Sequence, residues 1–184
     1  MKRAIVFMAN GMEECEALIT VDLLRRAGVD VKTVSIHEKK QVVSTHNIEI
    51  TADALISEIA LQDFDAVILP GGIPGTPNLA ACSAVRDTCL SFAADGKIVA
   101  AICAAPSILA KLGLLAGKPA TIYPGMEDEL LDAVPVADEV AVSEQIITSR
   151  SMGTAIPFAL TLVAKLVCPS VAKTLAEEIG YAYF

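Results

Sequence analysis

Short apolar runs alternate along this chain with segments of helical periodicity, and this alternation limits the possible folds more than any other feature. Residues 3–9 have the pattern of a buried strand, residues 13–27 that of a helix and residues 29–36 that of a second strand, which together form a βαβ unit. The helix has two arginines in its last turn and Gly28 just beyond it, as the helix dipole and a glycine cap favour. The pattern predicts parallel strands whose connecting helices cover the sheet.

The alternation continues to the end of the chain without a linker, repeat or low-complexity segment. The later predicted elements are a hairpin at 41–51, strands at 65–69, 97–102, 120–123 and 139–148, and helices at 84–94, from Pro106, at 155–167 with Thr154 as cap, and at 170–180. Hydrophobic residues make up 54% of the chain and aromatic residues only 4%, which is typical of a parallel sheet covered by helices. We therefore expect one α/β domain over residues 1–184.

The net charge and the cysteines limit the binding partners and the cellular location that we expect for this domain. The net charge of −8 disfavours nucleic acid and anionic membrane surfaces as partners, because both bind basic proteins. The first apolar stretch is too short for a signal peptide, and the apolar stretch at 155–167 is interrupted by Pro157 and Lys165, so we expect neither export nor a membrane span. Five cysteines without a Cys-x-x-Cys pair indicate free thiols and a cytoplasmic location.

Three of the predicted strands end in sequences that carry chemistry. These loops are residues 10–16, which contain three glutamates, residues 70–75, which begin Pro-Gly-Gly, and residues 101–106, which contain Cys103. The carboxyl ends of parallel strands meet at one edge of a sheet, where open α/β proteins bind their ligands. We therefore expect the three loops to lie close together.

Cys103 is the most informative residue of these loops. It lies between a buried strand and the start of a helix, which is the position of the nucleophile in a strand-turn-helix elbow. A helix N-terminus can lower the pKa of a thiol from about 8.5 to between about 3.5 and 7.5, so the position predicts a thiolate at neutral pH. A role as a small buried core residue explains Cys103 equally well at this point.

The two other loops offer groups that would assist a reactive thiol. Gly71 and Gly72 allow backbone N–H groups to approach an oxyanion, although paired glycines more often only form a turn. Glu13, Glu14 and Glu16 would ordinarily form a solvated first helical turn. A glutamate beside a thiolate stabilises it only when protonated, since it then donates a hydrogen bond, and desolvation raises the glutamate pKa toward that state.

Taken together, these loops resemble the ThiJ/PfpI superfamily, also called DJ-one, in the branch that contains the parkinsonism-associated protein deglycase. The matching segments, which are in register and extend over essentially the whole chain, are residues 13–16 with 21–28, residues 65–72, residues 100–106 and residues 148–150. The resemblance implies a flavodoxin-like sandwich, similar to class I glutamine amidotransferases, with a mostly parallel sheet and helices on both faces. It also implies a homodimer and neither a metal nor an organic cofactor.

The resemblance implies specific roles for four residues. Cys103 would be the nucleophile, and Glu16 would be the protonated carboxyl that is hydrogen-bonded to its sulfur. The backbone N–H groups of Gly72 and Ala104 would form the oxyanion pocket.

One departure from the family pattern bears on the mechanism. Many members have a histidine directly after the cysteine or about twenty residues later, whereas this chain has Ala104 and Tyr123 at those positions. Its only histidines, His37 and His46, lie in or near the predicted hairpin, and His46 could approach Cys103 only across a dimer. A Cys-His mechanism, and with it peptidase activity, is therefore disfavoured.

Three further residues are candidates for the pocket. Tyr123 would either donate a hydrogen bond to substrate or only close a wall. Gly71 and Cys15 lie within the matched loops, and packing explains Cys15 more readily than function does. The same holds for Cys82, Cys89 and Cys168.

The sequence thus leaves two functional hypotheses. In the first, Cys103 attacks the aldehyde carbon of an α-oxoaldehyde such as methylglyoxal, or of its adducts, and Glu16 moves the protons that yield a 2-hydroxy acid. This is the glyoxalase and protein deglycase chemistry that the resemblance implies, in protection against carbonyl and oxidative stress. In the second, the protein is a non-catalytic redox sensor or chaperone that responds to oxidation of Cys103.

Overall fold

A seven-stranded sheet crosses the protein in a computed structural model that describes residues 1–182. Residues 183 and 184 of the predicted domain lie outside the described residues. The strands are β1 (Arg3–Met8), β2 (Asp30–Ser35), β3 (Gln41–Val43), β4 (Glu49–Thr51), β5 (Ala54–Leu55), β6 (Ala66–Leu69), β7 (Ile98–Ile102), β8 (Pro119–Ala120), β9 (Val134–Pro135), β10 (Val140–Ser143) and β11 (Ile146–Ser149). The α-helices are α1 (Glu14–Arg26), α2 (Gly75–Ala81), α3 (Ser83–Ala94), α4 (Pro106–Lys111), α5 (Ala155–Leu166) and α6 (Pro169–Glu178). Short 3-10 helices span Ile56–Glu58, Leu61–Asp63, Glu127–Leu130 and Met152–Thr154.

The order of the strands places the three predicted loops at one edge of the sheet. The order is β10-β11-β7-β6-β1-β2-β5, and every neighbouring pair is parallel except β10 with β11 at the edge. The chain continues from β1 to β2 and β5 on one side and then crosses β1 to form β6 on the other, so the β1 and β6 ends flank a topological switch point. The mostly parallel α/β sheet predicted from the sequence is confirmed.

The core consists of two apolar layers, one on each face of the sheet. Side chains alternate along a strand, so Val6 of β1 packs in the layer with Phe158 of α5, whereas Phe7 packs in the layer with Phe92 of α3. Helices α1, α5 and α6 cover the first face, and α3 and α4 cover the second. Among the helices of residues 1–182, none combines the length and apolar character that crossing a membrane requires.

Two strand predictions differ from the structure. Residues 139–148, predicted as one strand, form the antiparallel hairpin β10–β11, whose turn contains Glu144 at φ +56°. The apolar pattern continues across this turn, and Glu144-Gln145 is not a typical turn sequence. The sequence therefore does not indicate that the predicted strand is divided here. Residues 120–123 contribute only Ala120 to a strand, which is β8 of a separate two-stranded sheet with β9.

The predicted cap of α5 is correct in position and wrong in its interaction. Thr154 is the N-cap residue of α5, but its side chain makes no cap hydrogen bond. Its hydroxyl lies 2.7 Å from the Ser149 hydroxyl and accepts the Ser151 N–H at 3.1 Å. Helix α2 was not predicted, whereas the hairpin at 41–51 is confirmed as β3 and β4.

Candidate active site

Cys103 lies at the turn between β7 and α4, where the sequence predicted a strand-turn-helix elbow. Its backbone is in the left-handed region at φ +64°, which costs a non-glycine residue roughly 1–2 kcal/mol. Two hydrogen bonds hold this conformation: the Cys103 N–H donates to the Ser149 carbonyl at 2.9 Å, and the Cys103 carbonyl accepts the Tyr123 N–H at 2.9 Å. The half-buried thiol is therefore presented from a fixed backbone.

Glu16 approaches Cys103 from the first turn of α1. Its side chain is buried, at 1% exposure, and its Oε2 accepts the Gly71 N–H at 2.9 Å. The carboxyl also faces the Cys103 thiol and the Met152 N–H, but no described donor reaches Oε1 in good hydrogen-bonding geometry. A buried carboxyl oxygen without a donor favours the protonated form of the group.

Gly71 is the residue that allows Glu16 and Cys103 to come this close. A methyl group added to Gly71 would lie 2.6 Å from the Cys103 Cβ and 2.9 Å from the Glu16 Oε2. Both distances are shorter than van der Waals contact, so no residue larger than glycine fits without displacing one of them. Gly71, predicted only as a pocket residue, thus lies at the centre of the site.

Burial dominates the protonation equilibria of this pair. Burial raises the pKa of Glu16 to about 7, because contacts from the Cys103 thiol and the Gly71 N–H only partly offset desolvation. Burial, followed by the negative charge of Glu16, raises the pKa of Cys103 to about 12. The two groups compete for one negative charge, since a charged Glu16 keeps the thiol protonated.

The expectation of a depressed Cys103 pKa is therefore wrong for the state in which Glu16 is charged. The helix that was expected to stabilise the thiolate, α4, is only 6 residues long, and its dipole is correspondingly weak. Protonation of Glu16 removes the opposing charge and turns the carboxyl into a hydrogen-bond donor toward the sulfur.

Two backbone N–H groups contact the Cys103 sulfur, those of Gly72 and Ala104, and both favour the thiolate form. Gly72 has φ +90°, and a methyl group there would lie 2.4 Å from the Glu13 nitrogen, so this position requires glycine. Ala104 is buried. The structure thus brings both residues of the predicted oxyanion pocket to the sulfur.

Two residues that position Glu16 and Cys103 were not predicted to do so from the sequence. Glu13 is the N-cap of α1, and its Oε2 accepts the Glu16 N–H at 2.6 Å. The three-residue spacing from Glu13 to Glu16 is that of a helix cap and its N3 position, and this signal could have identified Glu13. The Ser149 carbonyl, which holds the Cys103 backbone, acts through the main chain and has no sequence signal.

Tyr123 and Cys15 lie at the margin of the site. The Tyr123 N–H donates to the Cys103 carbonyl, while the residue as a whole is 47% exposed. Cys15 is exposed on α1, whereas the adjacent Glu16 is buried against Cys103. Because consecutive helical residues point about 100° apart, the Cys15 side chain leaves the helix on a different side.

Neither of the chain's 2 histidines faces Cys103. The Nδ1 atom of His46 lies 2.8 Å from the Glu14 Oε1, and the Nε2 atom of His37 accepts the Asn10 N–H at 2.9 Å. A Cys-His pair is therefore not formed within residues 1–182.

Several known proteins and one family model are similar to this chain. A family model described as the DJ-1/PfpI family matches residues 2–165. Protein dj-1beta of Drosophila melanogaster is 36% identical over 184 residues, which is 99% of this chain and 98% of that protein. The glutathione-independent glyoxalase DJR-1.2 of Caenorhabditis elegans is 30% identical over 184 residues, 98% of this chain and 97% of that protein. The solved structure of oxidized Toxoplasma gondii DJ-1 superposes with a TM-score of 0.95 at 35% identity, covering 100% of both chains.

Proposed function

The chain belongs to the DJ-1/PfpI family, and on that basis we propose that it is a cysteine-dependent enzyme acting on small α-oxoaldehydes. The substrates are methylglyoxal or its adducts with thiols, amines or nucleotides, so glyoxalase and deglycase activities form one chemical class. A relative named as a glutathione-independent glyoxalase supports this class. The observation that carries the proposal is the buried Glu16 carboxyl beside Cys103.

The reaction starts from a single proton shared by Glu16 and Cys103. When Glu16 holds this proton, the sulfur is a thiolate and accepts a hydrogen bond from the carboxyl. Burial raises the pKa of Glu16 to about 7, so protonated carboxyl is available at neutral pH, which is the condition for efficient acid-base work. The N–H groups of Gly72 and Ala104 favour the thiolate further.

The thiolate of Cys103 attacks the aldehyde carbon, and the carbonyl oxygen takes a proton from Glu16 to give a hemithioacetal. The carboxylate of Glu16 then removes the proton from that carbon, and the hydroxyl proton moves to the ketone oxygen through an enediol. Glu16 returns its proton to the former ketone carbon. The product is a thioester of the 2-hydroxy acid. Water cleaves the thioester, which releases the 2-hydroxy acid, lactate and a solvent proton in the case of methylglyoxal, and restores the single proton shared by Glu16 and Cys103. The net reaction adds one water and needs no external oxidant, metal or organic cofactor.

Backbone donors stabilise the charge that develops on oxygen. The Gly72 and Ala104 N–H groups lie at the sulfur, and an oxygen on the attacked carbon would be within their reach. Peptide hydrolysis is not part of the proposal, because the Cys-His mechanism needs a histidine that takes the thiol proton and delivers it to the amine leaving group. The two histidines contact Glu14 and Asn10 instead.

The test is the conversion of methylglyoxal to lactate by the purified protein and by Cys103→Ser and Glu16→Gln variants. Wild-type protein should convert methylglyoxal to lactate, and both variants should lose this activity while remaining folded. Cys168→Ser is the matched control, since Cys168 precedes α6 and lies outside the site. Turnover that survives in Cys103→Ser would refute the proposal.

Oxidation sensing at Cys103 is the second candidate function, in a stress-response protein or chaperone. A half-buried thiol remains accessible to peroxide, and a relative has been solved in an oxidized form. Ready conversion of Cys103 to a sulfinic acid by peroxide, measured by mass spectrometry, together with no turnover of methylglyoxal, would favour this candidate over the enzyme.

We further propose that the protein is a cytoplasmic homodimer that binds neither nucleic acid nor membranes. An apolar groove of about 570 Å³ runs between α1, α5 and the end of α6, lined in part by Leu18, Ile19 and Ile156. Leu18 is 41% exposed at its margin. An exposed apolar surface of this kind supports burial against a second copy of the chain.

A further inference from the structure

Glu13, Glu14 and His46 form a compact cluster of oxygen and nitrogen ligands at the start of α1. One ligand atom from each of the three side chains lies within 4.8 Å of the other two. The His46 Nδ1 lies 2.8 Å from the Glu14 Oε1. The proposed turnover at Cys103 uses none of these three side chains as a reacting group.

The chain holds His46 over α1 through backbone contacts. His46 lies in the turn between β3 and β4. The Thr45 N–H donates to the Met12 carbonyl at 2.8 Å, and the Gly11 N–H donates to the Val43 carbonyl at 2.8 Å. These bonds fix the hairpin to the β1–α1 loop, so the approach of His46 to the glutamates is part of the fold.

One of the two oxygens of the Glu14 carboxyl is buried without a hydrogen-bond donor among the described residues. Glu14 is 7% exposed, and its Oε2 is buried with no hydrogen-bond partner. The Ser44 hydroxyl approaches the same carboxyl but does not reach Oε2 in hydrogen-bonding geometry. A buried carboxylate oxygen left without a donor is costly, and a bound cation would satisfy it.

We propose that Glu13, Glu14 and His46 bind a divalent transition-metal ion, with Zn²⁺ as the best match. Two carboxylates and one neutral imidazole balance the charge of a divalent ion, and imidazole with carboxylate oxygen is a donor set that Zn²⁺ accepts readily. The Nδ1 atom of His46 would coordinate, which leaves its proton on Nε2. Water would fill the remaining positions, since the His46 side chain is 68% exposed.

The ligands differ in how freely they can adjust to a metal. Glu13 accepts the Glu16 N–H through Oε2, so its carboxyl group is oriented by the helix. Glu14 is fixed by burial. His46 is the exposed ligand and is therefore the residue whose replacement tests the site with the least disturbance of the fold.

The experiment measures Zn²⁺ binding by competition with a chromophoric chelator. The parent chain carries Cys15→Ser and Cys103→Ser, so that thiolates near α1 do not supply ligands. This parent should bind one Zn²⁺, and His46→Gln should weaken binding at least about tenfold. His37→Gln is the matched control, because His37 lies outside the cluster and accepts only the Asn10 N–H.

Substitution of Co²⁺ gives a second readout that does not depend on turnover. Visible absorption without a sulfur-to-cobalt band, lost in His46→Gln, is the expected result. Equal Zn²⁺ affinity of His46→Gln and the parent, or no stoichiometric binding by the parent, would overturn the site and leave Glu14–His46 as an ion pair. Loss of methylglyoxal turnover in Cys103→Ser tests the proposed function separately, so the two proposals can fail independently.

Discussion

Replacement of Glu16 by glutamine should stabilise the folded protein at neutral pH while it removes turnover. Burial raises the pKa of Glu16 from 4.5 to about 7. Because the folded protein then binds this proton more tightly than the unfolded chain, stability is lost as pH rises from about 4.5 to about 7. About 2.5 pH units at 1.36 kcal/mol each give about 3 kcal/mol. Glutamine carries no charge to desolvate, so the variant should not show this loss.

Glutamine also preserves the contacts of the protonated carboxyl. Its oxygen can accept the Gly71 N–H, as the Glu16 Oε2 does at 2.9 Å, and its amide can donate to the Cys103 sulfur. It cannot exchange protons with substrate, so kcat/KM should fall by about 10²–10⁴. Stability and activity should therefore move in opposite directions.

The assay is urea unfolding between pH 4.5 and 8 of chelator-treated wild type and Glu16→Gln, so that no cation at the adjacent cluster contributes. The difference in the free energy of unfolding should be near zero at pH 4.5 and approach about 3 kcal/mol above pH 7. Glu177→Gln is the control, since Glu177 is exposed on α6. A difference in the free energy of unfolding that does not change with pH would refute the reasoning. A wild type that is more stable than Glu16→Gln at pH 8 would refute it as well.

Three further outcomes are expected. Gly71→Ala should destabilise the protein by about 1–3 kcal/mol in urea unfolding and abolish turnover, because its methyl group would lie 2.6 Å from the Cys103 Cβ; unchanged turnover would contradict the close approach of Cys103 and Glu16. Cys89→Ser should leave turnover unchanged and cost about 1–3 kcal/mol, since Cys89 is fully buried; loss of turnover in a folded variant would count against a purely structural role. Leu18→Lys should convert the proposed dimer to a monomer in light scattering, and a mass unchanged from wild type would exclude this helix face from the interface.

The parts of the fold that the sequence predicts well are those with strong local signals. Helix α1 ends within one residue of its prediction because Gly28, at φ +80°, terminates it. The loops of the site could be grouped without a structure, because parallel strands end at one edge. The hairpin at β10–β11 could not be predicted from the sequence, because Glu144 adopts a left-handed conformation at a turn that has no glycine or asparagine to indicate it.

The pKa values of the site could not be predicted from the sequence for a different reason. The pKa of Cys103 depends on burial and on the charge of Glu16, and both arise only when α1 and β7 are packed together. The rule that a helix start lowers the pKa of a thiol predicted a lowered pKa for Cys103, whereas its pKa is raised. Thr154 shows the same limitation, because its hydroxyl is taken by Ser149, a residue on β11, and not by the helix it begins.

Gly72 and Ala104 contact the reacting sulfur through backbone N–H groups, and the Gly71 N–H holds the Glu16 carboxyl in the same way. Substitution of these three residues therefore offers laboratory evolution few ways to change the site. Mutation changes side chains, and these three residues carry either no side chain or only a methyl group. Selection for new substrates should therefore act on exposed apolar residues beside the site: Ile73, which follows Gly72 and is 60% exposed, and Met152, whose N–H faces Glu16 and which is 53% exposed. Libraries built at those positions would vary which aldehydes are admitted while leaving the reactive groups intact.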